Sequence, residues 1–279
     1  MSAKVVNFLA IIVVVYLLAL LFMYFNQRGM MYFPATGRPD PATYGAQDVV
    51  EIVRVTTEDG LDLQGWYIAP QDQNKPVIVN FHGNAGHYGD RLPKMAGFVR
   101  EGYGLLLAEY RGYGGNPGKI TEQGLYQDAR AYLDWLAKKD VETVLYGESL
   151  GSGVVVQMAT EHMVAAVVLE APYSTIAEVA QSIYFYMPVK WLMKDQYRST
   201  DKIAAIKASL LIVHGEKDGT IPIRFARKLF QAAVQPKRFV ALESAAHNDV
   251  YDHGAERHIL DFLSGIDFSV TNDAEQKER

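Results

Sequence analysis

The chain has 279 residues, is 49% apolar and 21% charged, carries a formal net charge of -5 and contains no cysteine. It is long and apolar enough to bury a large core, which excludes a disordered chain or a disulfide-stapled miniature. The acidic balance, with no basic stripe, excludes a nucleic-acid footprint, and the lack of cysteine removes disulfides, thiolate nucleophiles and sulfur-ligated metals.

In chain order, the first element is an unbroken run of 18 apolar residues, Phe8 to Phe25, with no charge between Lys4 and Arg28. A helix of that length crosses a hydrocarbon core. The run exceeds the roughly 7–15 apolar residues of a secretory signal and no small-x-small site follows closely, so residues 1–27 are expected to form a retained membrane anchor. Lys4 and the amino terminus balance Arg28 and Arg38, which leaves the side of the membrane open. Next, NQRGMMYFPATGRPDPATYG is rich in proline and glycine and reads as a linker wrapping onto the domain.

Two alternating stretches, Val49 to Thr56 and Leu61 to Ala69, flank the turn signal TEDG and predict a hairpin. Near-continuous apolar runs follow at Val77 to Phe81, Gly104 to Ala108, Val144 to Tyr146, Val164 to Leu169 and Leu210 to Val213. Each is short and closed by a turn residue, as strands buried on both faces are, so a mostly parallel sheet is expected. Between them the pattern turns helical: Leu92, Met95, Phe98 and Val99 share one face, as do Leu125, Ala129, Tyr132, Leu133 and Leu136. Alternating strands and helices predict an open α/β domain over residues 28–270, with ligands at the carboxyl ends of its strands. The polar tail, 271–279, is expected to be disordered.

The stretch Gly147-Glu148-Ser149-Leu150-Gly151 runs from an apolar strand into an apolar helix. A chain turning that sharply strains the corner residue, and small neighbours at minus two and plus two avoid collision. The Ser149 hydroxyl then stands at a helix amino end, where unpaired N–H groups favour negative charge, which suits a nucleophile. The five-residue pattern alone is weak evidence, because chance supplies it in roughly one chain in fifteen of this composition; the strand-to-helix setting gives it weight. Serine needs a base and the base an orienting acid. Asp218 and His247 each follow a strand-like run, giving the order Ser, Asp, His, although singly each also reads as a loop residue. The turn His82-Gly83-Asn84 closes the run Val77 to Phe81 and could aim the Asn84 backbone N–H at the site, beside that of Leu150, as an oxyanion hole. Both donors are main-chain groups, so the conformation of Asn84 matters more than its identity. His82 and His87 lack a third ligand at metal spacing.

The motifs HGNAG, EYRGYGGNPG, GESLGSG, IVHGEKDGTIP and AAHNDV, spread over about Met31 to Leu263, together resemble the α/β-hydrolase superfamily. More narrowly they are similar to its membrane-anchored branch related to the bud-emergence homologues. The resemblance implies an α/β-hydrolase fold, Ser149, Asp218 and His247 as a catalytic triad, Asn84 and Leu150 as oxyanion donors, and no cofactor or metal. The Arg111 to Gly115 loop is expected to be structural, Glu170 is an alternative acid that matches less well than Asp218, and Asp249 is expected to shape its loop. An insertion over about 172–208 holds the apolar stretch Ile183 to Met193, which is either a lid lining an acyl pocket or a cap packed on the domain. The expected activity is hydrolysis of esters or thioesters, with a small-molecule or lipid-like acyl substrate, the membrane as a second partner, and the oligomeric state open. A serine peptidase of the same fold and a membrane-anchored scaffold are the rival readings.

Overall fold

In a computed structural model that describes residues 2–268, the chain begins with a 29-residue helix, α1 (Ala3–Met31). It is the one helix among the described residues long and apolar enough to cross a membrane. The helix does not stop at the end of the apolar run but continues through Asn26, Gln27, Arg28 and Gly29. Contacts with the insertion hold those polar residues: Arg28 Nε meets Asp195 Oδ2 at 2.7 Å and the N–H of Lys194 donates to Gln27 Oε1 at 2.7 Å. The proline-rich segment beyond it contains a two-residue strand, β1 (Phe33–Pro34), and a short 3-10 turn at Pro41–Tyr44.

The hairpin follows as β2 (Glu51–Thr56) and β3 (Asp62–Ile68), then β4 (Val77–Phe81), the two-residue β5 (Ala85–Gly86), α2 (Leu92–Arg100), β6 (Gly104–Ala108), α3 (Glu122–Ala137) and β7 (Thr143–Glu148). Next come α4 (Leu150–Glu161) and β8 (Ala166–Glu170), then the insertion with α5 (Ile176–Ile183), α6 (Val189–Leu192) and two 3-10 turns. The chain ends in β9 (Ser209–Gly215), α7 (Arg224–Ala232), β10 (Lys237–Leu242) and α8 (Ala255–Ser264). The tail from 271 lies outside the described residues.

Eight strands form one sheet in the order β10-β9-β8-β7-β4-β6-β3-β2, parallel from β10 to β6 and antiparallel at the β3 and β2 edge. Alternate residues of each strand enter opposite cores, because successive side chains point to opposite faces. Val77, Val79 and Phe81 pack with α3, α4 and α7, while Ile78 packs with α2 and α8. Both faces are therefore dry, which explains the near-continuous apolar runs.

Strand order reverses between β4 and β7. From β4 the chain works outward to β6, and from β7 it works outward the other way to β10. The crevice at such a reversal, beyond the strand carboxyl ends, is where open α/β sheets bind ligands. Register places Phe81 opposite Gly147, so the turn after β4 and the corner after β7 meet side by side.

Candidate active site

Ser149 occupies the corner between β7 and α4 with φ 48° and ψ -113°, a left-handed-side backbone that a non-glycine residue adopts only under strain. Its N–H donates to Glu170 O at 2.9 Å, and its carbonyl accepts the Ser152 hydroxyl at 2.6 Å, so the corner is held from both sides. The flanking glycines are forced by packing. A Cβ on Gly151 would stand 1.9 Å from Phe81 O, and one on Gly147 would stand 2.7 Å from Ser152 Cα.

The three sequence-predicted side chains come together here. His247 Nε2 lies 3.0 Å from Ser149 Oγ, and His247 Nδ1 lies 2.7 Å from Asp218 Oδ2. With the carboxylate accepting at Nδ1, that nitrogen carries the proton and Nε2 is left to accept from the serine hydroxyl. Asp218 follows β9 and His247 follows β10, the two strands next beyond β8. Burial alone would raise the Asp218 carboxyl, but hydrogen bonds from His214 and His247, the charge of His247 and the Ile221 N–H outweigh it and hold the group well below the usual carboxylate range. Asp218 Oδ1 also accepts the N–H groups of Thr220 and Ile221, each at 2.8 Å.

The turn after β4 is pinned as firmly. The His82 ring places Nδ1 2.7 Å from Gly83 O and Nε2 2.6 Å from Glu109 Oε1, while Tyr110 donates to His82 O at 3.0 Å. A Cβ on Gly83 would sit 3.5 Å from Ser149 Cβ, so the turn passes directly over the nucleophile. Among the described residues the N–H groups of Asn84 and Leu150 meet no acceptor, and both residues line the same cavity as Ser149 and His247. The Asn84 side chain has work of its own: Nδ2 donates to Met31 O at 2.9 Å, and Asn84 O accepts from Phe33 N–H at 2.8 Å and from the Tyr113 hydroxyl at 2.9 Å. Its identity therefore matters through the end of α1, a role that the main-chain argument omits.

Other sequence candidates fall outside the reacting group. Glu170 is bound by Lys94 Nζ at 2.7 Å and by the Tyr146 hydroxyl. Arg111 is locked between Asp128 and Asp59, and Asp249 accepts the Ala246 N–H at 2.6 Å. His87 caps a 3-10 turn, and no group of three or more metal-ligating side chains occurs among the described residues.

Two contributors escaped the sequence reading. His214, fully buried, places Nε2 3.2 Å from Asp218 Oδ2 and 2.8 Å from Ile221 O, bracing the acid from behind. The available signal was a lone polar residue ending the apolar run LLIV. Below the nucleophile, Lys94 Nζ bridges Glu148 Oε2 at 3.0 Å and Glu170, and Arg91 meets Glu148 Oε1 at 3.2 Å. Burial raises the Glu148 carboxyl, yet Lys94 and Arg91 outweigh that effect and keep it below the usual range. Lys94→Met leaves the 2%-exposed Glu170 without its cation. This substitution is expected to cost about 3 kcal/mol and lower the midpoint of thermal unfolding by roughly 6–12 °C. A shift under about 1 °C in a melting curve would show that solvent already screens the cluster.

The cavity over Ser149 has a volume of about 480 Å³, within the range of small-molecule sites. Ile176, Val179, Ile183 and Met187 from the insertion form one side of it.

Residues 72–194 match a family model described as serine aminopeptidase, S33. A Mycobacterium tuberculosis protein, Rv2307c, is 37% identical over 257 residues, which cover 89% of this chain and 91% of that one. The lysophosphatidylserine lipase ABHD12 of Bos taurus is 31% identical over 222 residues, 72% of this chain but 56% of the lipase, so the match spans about half of that longer protein. Protein bem46 of Schizosaccharomyces pombe is 27% identical with 91% of each chain covered. Among solved structures, the Pyrococcus furiosus esterase Pf2001 superposes with a TM-score of 0.69 at 19% identity, covering 85% of this chain and 99% of the esterase, a likeness of fold. With that sheet and these relatives, the chain belongs to the α/β-hydrolase superfamily, in the branch that holds bem46 and ABHD12.

Proposed function

We propose that the protein is a membrane-anchored serine hydrolase that cleaves carboxylic esters or thioesters through an acyl-enzyme. The observation that carries this reading is the single imidazole, His247, placed 3.0 Å from Ser149 Oγ on one side and 2.7 Å from Asp218 on the other. His247 Nε2 takes the hydroxyl proton as Ser149 Oγ attacks the carbonyl carbon. Asp218 stabilises the imidazolium that results, and the N–H groups of Asn84 and Leu150 hold the oxyanion. His247 then passes the proton to the departing alkoxide or thiolate. Water, deprotonated by the same nitrogen, attacks the acyl-serine and releases the acid.

A largely apolar cavity favours an acyl group over a charged or strongly polar one, and the lipase activity in the name of one relative points the same way. The matched family model carries a peptidase description, so an amide substrate is the rival. A fluorophosphonate probe is expected to label the full-length protein on one serine, with the added mass on the peptide containing Ser149. Labelling elsewhere, or none, overturns the assignment. Turnover of an aminoacyl p-nitroanilide exceeding that of p-nitrophenyl esters would replace the ester reading with the peptidase one.

A further inference from the structure

One face of α1 enters the cavity that holds Ser149. Leu20, Met23, Gln27 and Met31 recur at helical spacing, are partly buried, and line the same cavity as Ser149 and His247. The opposite face, Leu18, Phe22 and Phe25, is 60–72% exposed. The placement is specified by hydrogen bonds: Tyr16 donates to Tyr186 O at 2.8 Å, Gln27 is bonded to both Leu192 O and Lys194 N–H, and Arg28 pairs with Asp195.

Leu20 and Met23 also belong to the apolar run that ends at Phe25. Crossing a hydrocarbon core takes about 20 residues, and α1 has 29, so these two positions fall at or near the lipid boundary while lining the cavity that holds Ser149. Beside them, between α5 and α6 and on α6 itself, Phe185 and Trp191 are 80% and 89% exposed and Tyr186 is 55% exposed. Aromatic rings left bare at the membrane end of a chain suit the interfacial zone, where one side of the ring is apolar and the other wet.

We propose that α1 is one wall of an acyl-chain subsite, closed on the other side by α5 and α6, and that the hydrocarbon chain of a bilayer-resident ester enters it sideways from the membrane between α1 and the aromatic edge of the insertion. The proposal rests on the hydrolase reading above and extends it to the substrate class: a lipid ester whose carbonyl rises to Ser149 while its chain stays against Leu20 and Met23. A soluble short-chain ester needs only the polar end of the cavity.

The test uses the full-length protein in phosphatidylcholine vesicles with p-nitrophenyl palmitate and p-nitrophenyl butyrate. Met23→Trp and Leu20→Trp each fill the subsite from the helix side and are expected to lower the palmitate-to-butyrate ratio of kcat/KM by about tenfold. Leu18→Trp, on the far face, is expected to leave that ratio unchanged. If butyrate is hydrolysed and the ratio holds in both inward-facing variants, the subsite assignment falls while the hydrolase reading stands. If the wild type hydrolyses neither ester and takes no fluorophosphonate label, the hydrolase reading falls and the subsite with it.

Discussion

Ser149→Ala is expected to lower ester turnover by about 10⁶-fold while leaving the fold intact. The substitution removes one oxygen from a corner whose backbone is fixed by other groups: the Ser149 N–H bonded to Glu170 O, the Ser149 carbonyl holding Ser152, and glycines seated against Phe81 and Gly151. Alanine at φ 48° is as strained as serine, so the melting curve of the variant should lie within a few degrees of the wild type. What disappears is the hydroxyl oxygen 3.0 Å from His247 Nε2, the atom proposed to form the acyl bond. Residual activity above about 1% of wild type, in protein shown by mass to be free of wild-type contamination, would mean that another nucleophile or a directly activated water does the work.

Asp218→Asn is expected to cost about 10⁴-fold in kcat with little change in KM. The amide is nearly the same size, so the position of His247 survives. Its hydrogen-bonding logic does not. The native carboxylate accepts from His247 Nδ1 and from the Thr220 and Ile221 N–H groups, with His214 close behind. An amide that turns its NH₂ toward His247 stabilises the tautomer with the proton on Nε2, which cannot take one from Ser149. An amide that turns its oxygen toward His247 loses the negative charge that stabilises the imidazolium. Stopped-flow acylation with a p-nitrophenyl ester measures the step directly. A loss under tenfold would place the acid elsewhere, with Glu170 the next carboxylate to examine.

The corner at Ser149 was readable because its determinants are local. The two glycines, the serine between them and the apolar strand before them sit within nine residues, and the steric need that selects glycine acts over that distance. The parallel strands were readable because burial on both faces erases the alternation that a half-exposed strand would show. The end of α1 was not: Asn26 to Gly29 look like a helix stop, and the groups that keep the helix going, Leu192, Lys194 and Asp195, lie more than 160 residues away. Separations of 54 and 76 residues likewise hid the Lys94, Glu148 and Glu170 cluster, whose members are unremarkable charges until β7, β8 and α2 are stacked together. His214 shows the intermediate case, an oddity in the sequence whose purpose appears only when Asp218 folds back over it.

The pairing of Phe33 with Ala85 and of Asn84 Nδ2 with Met31 O joins the first helix to the turn above the nucleophile. Clipping the chain before residue 28 to make a water-soluble preparation takes away Leu20, Met23 and Gln27 together and leaves that turn braced by a frayed stub. On the subsite proposed above, chain-length preferences recorded on such a fragment would describe a different catalyst from the full-length chain, so the choice of detergent or nanodisc belongs to the enzymology itself.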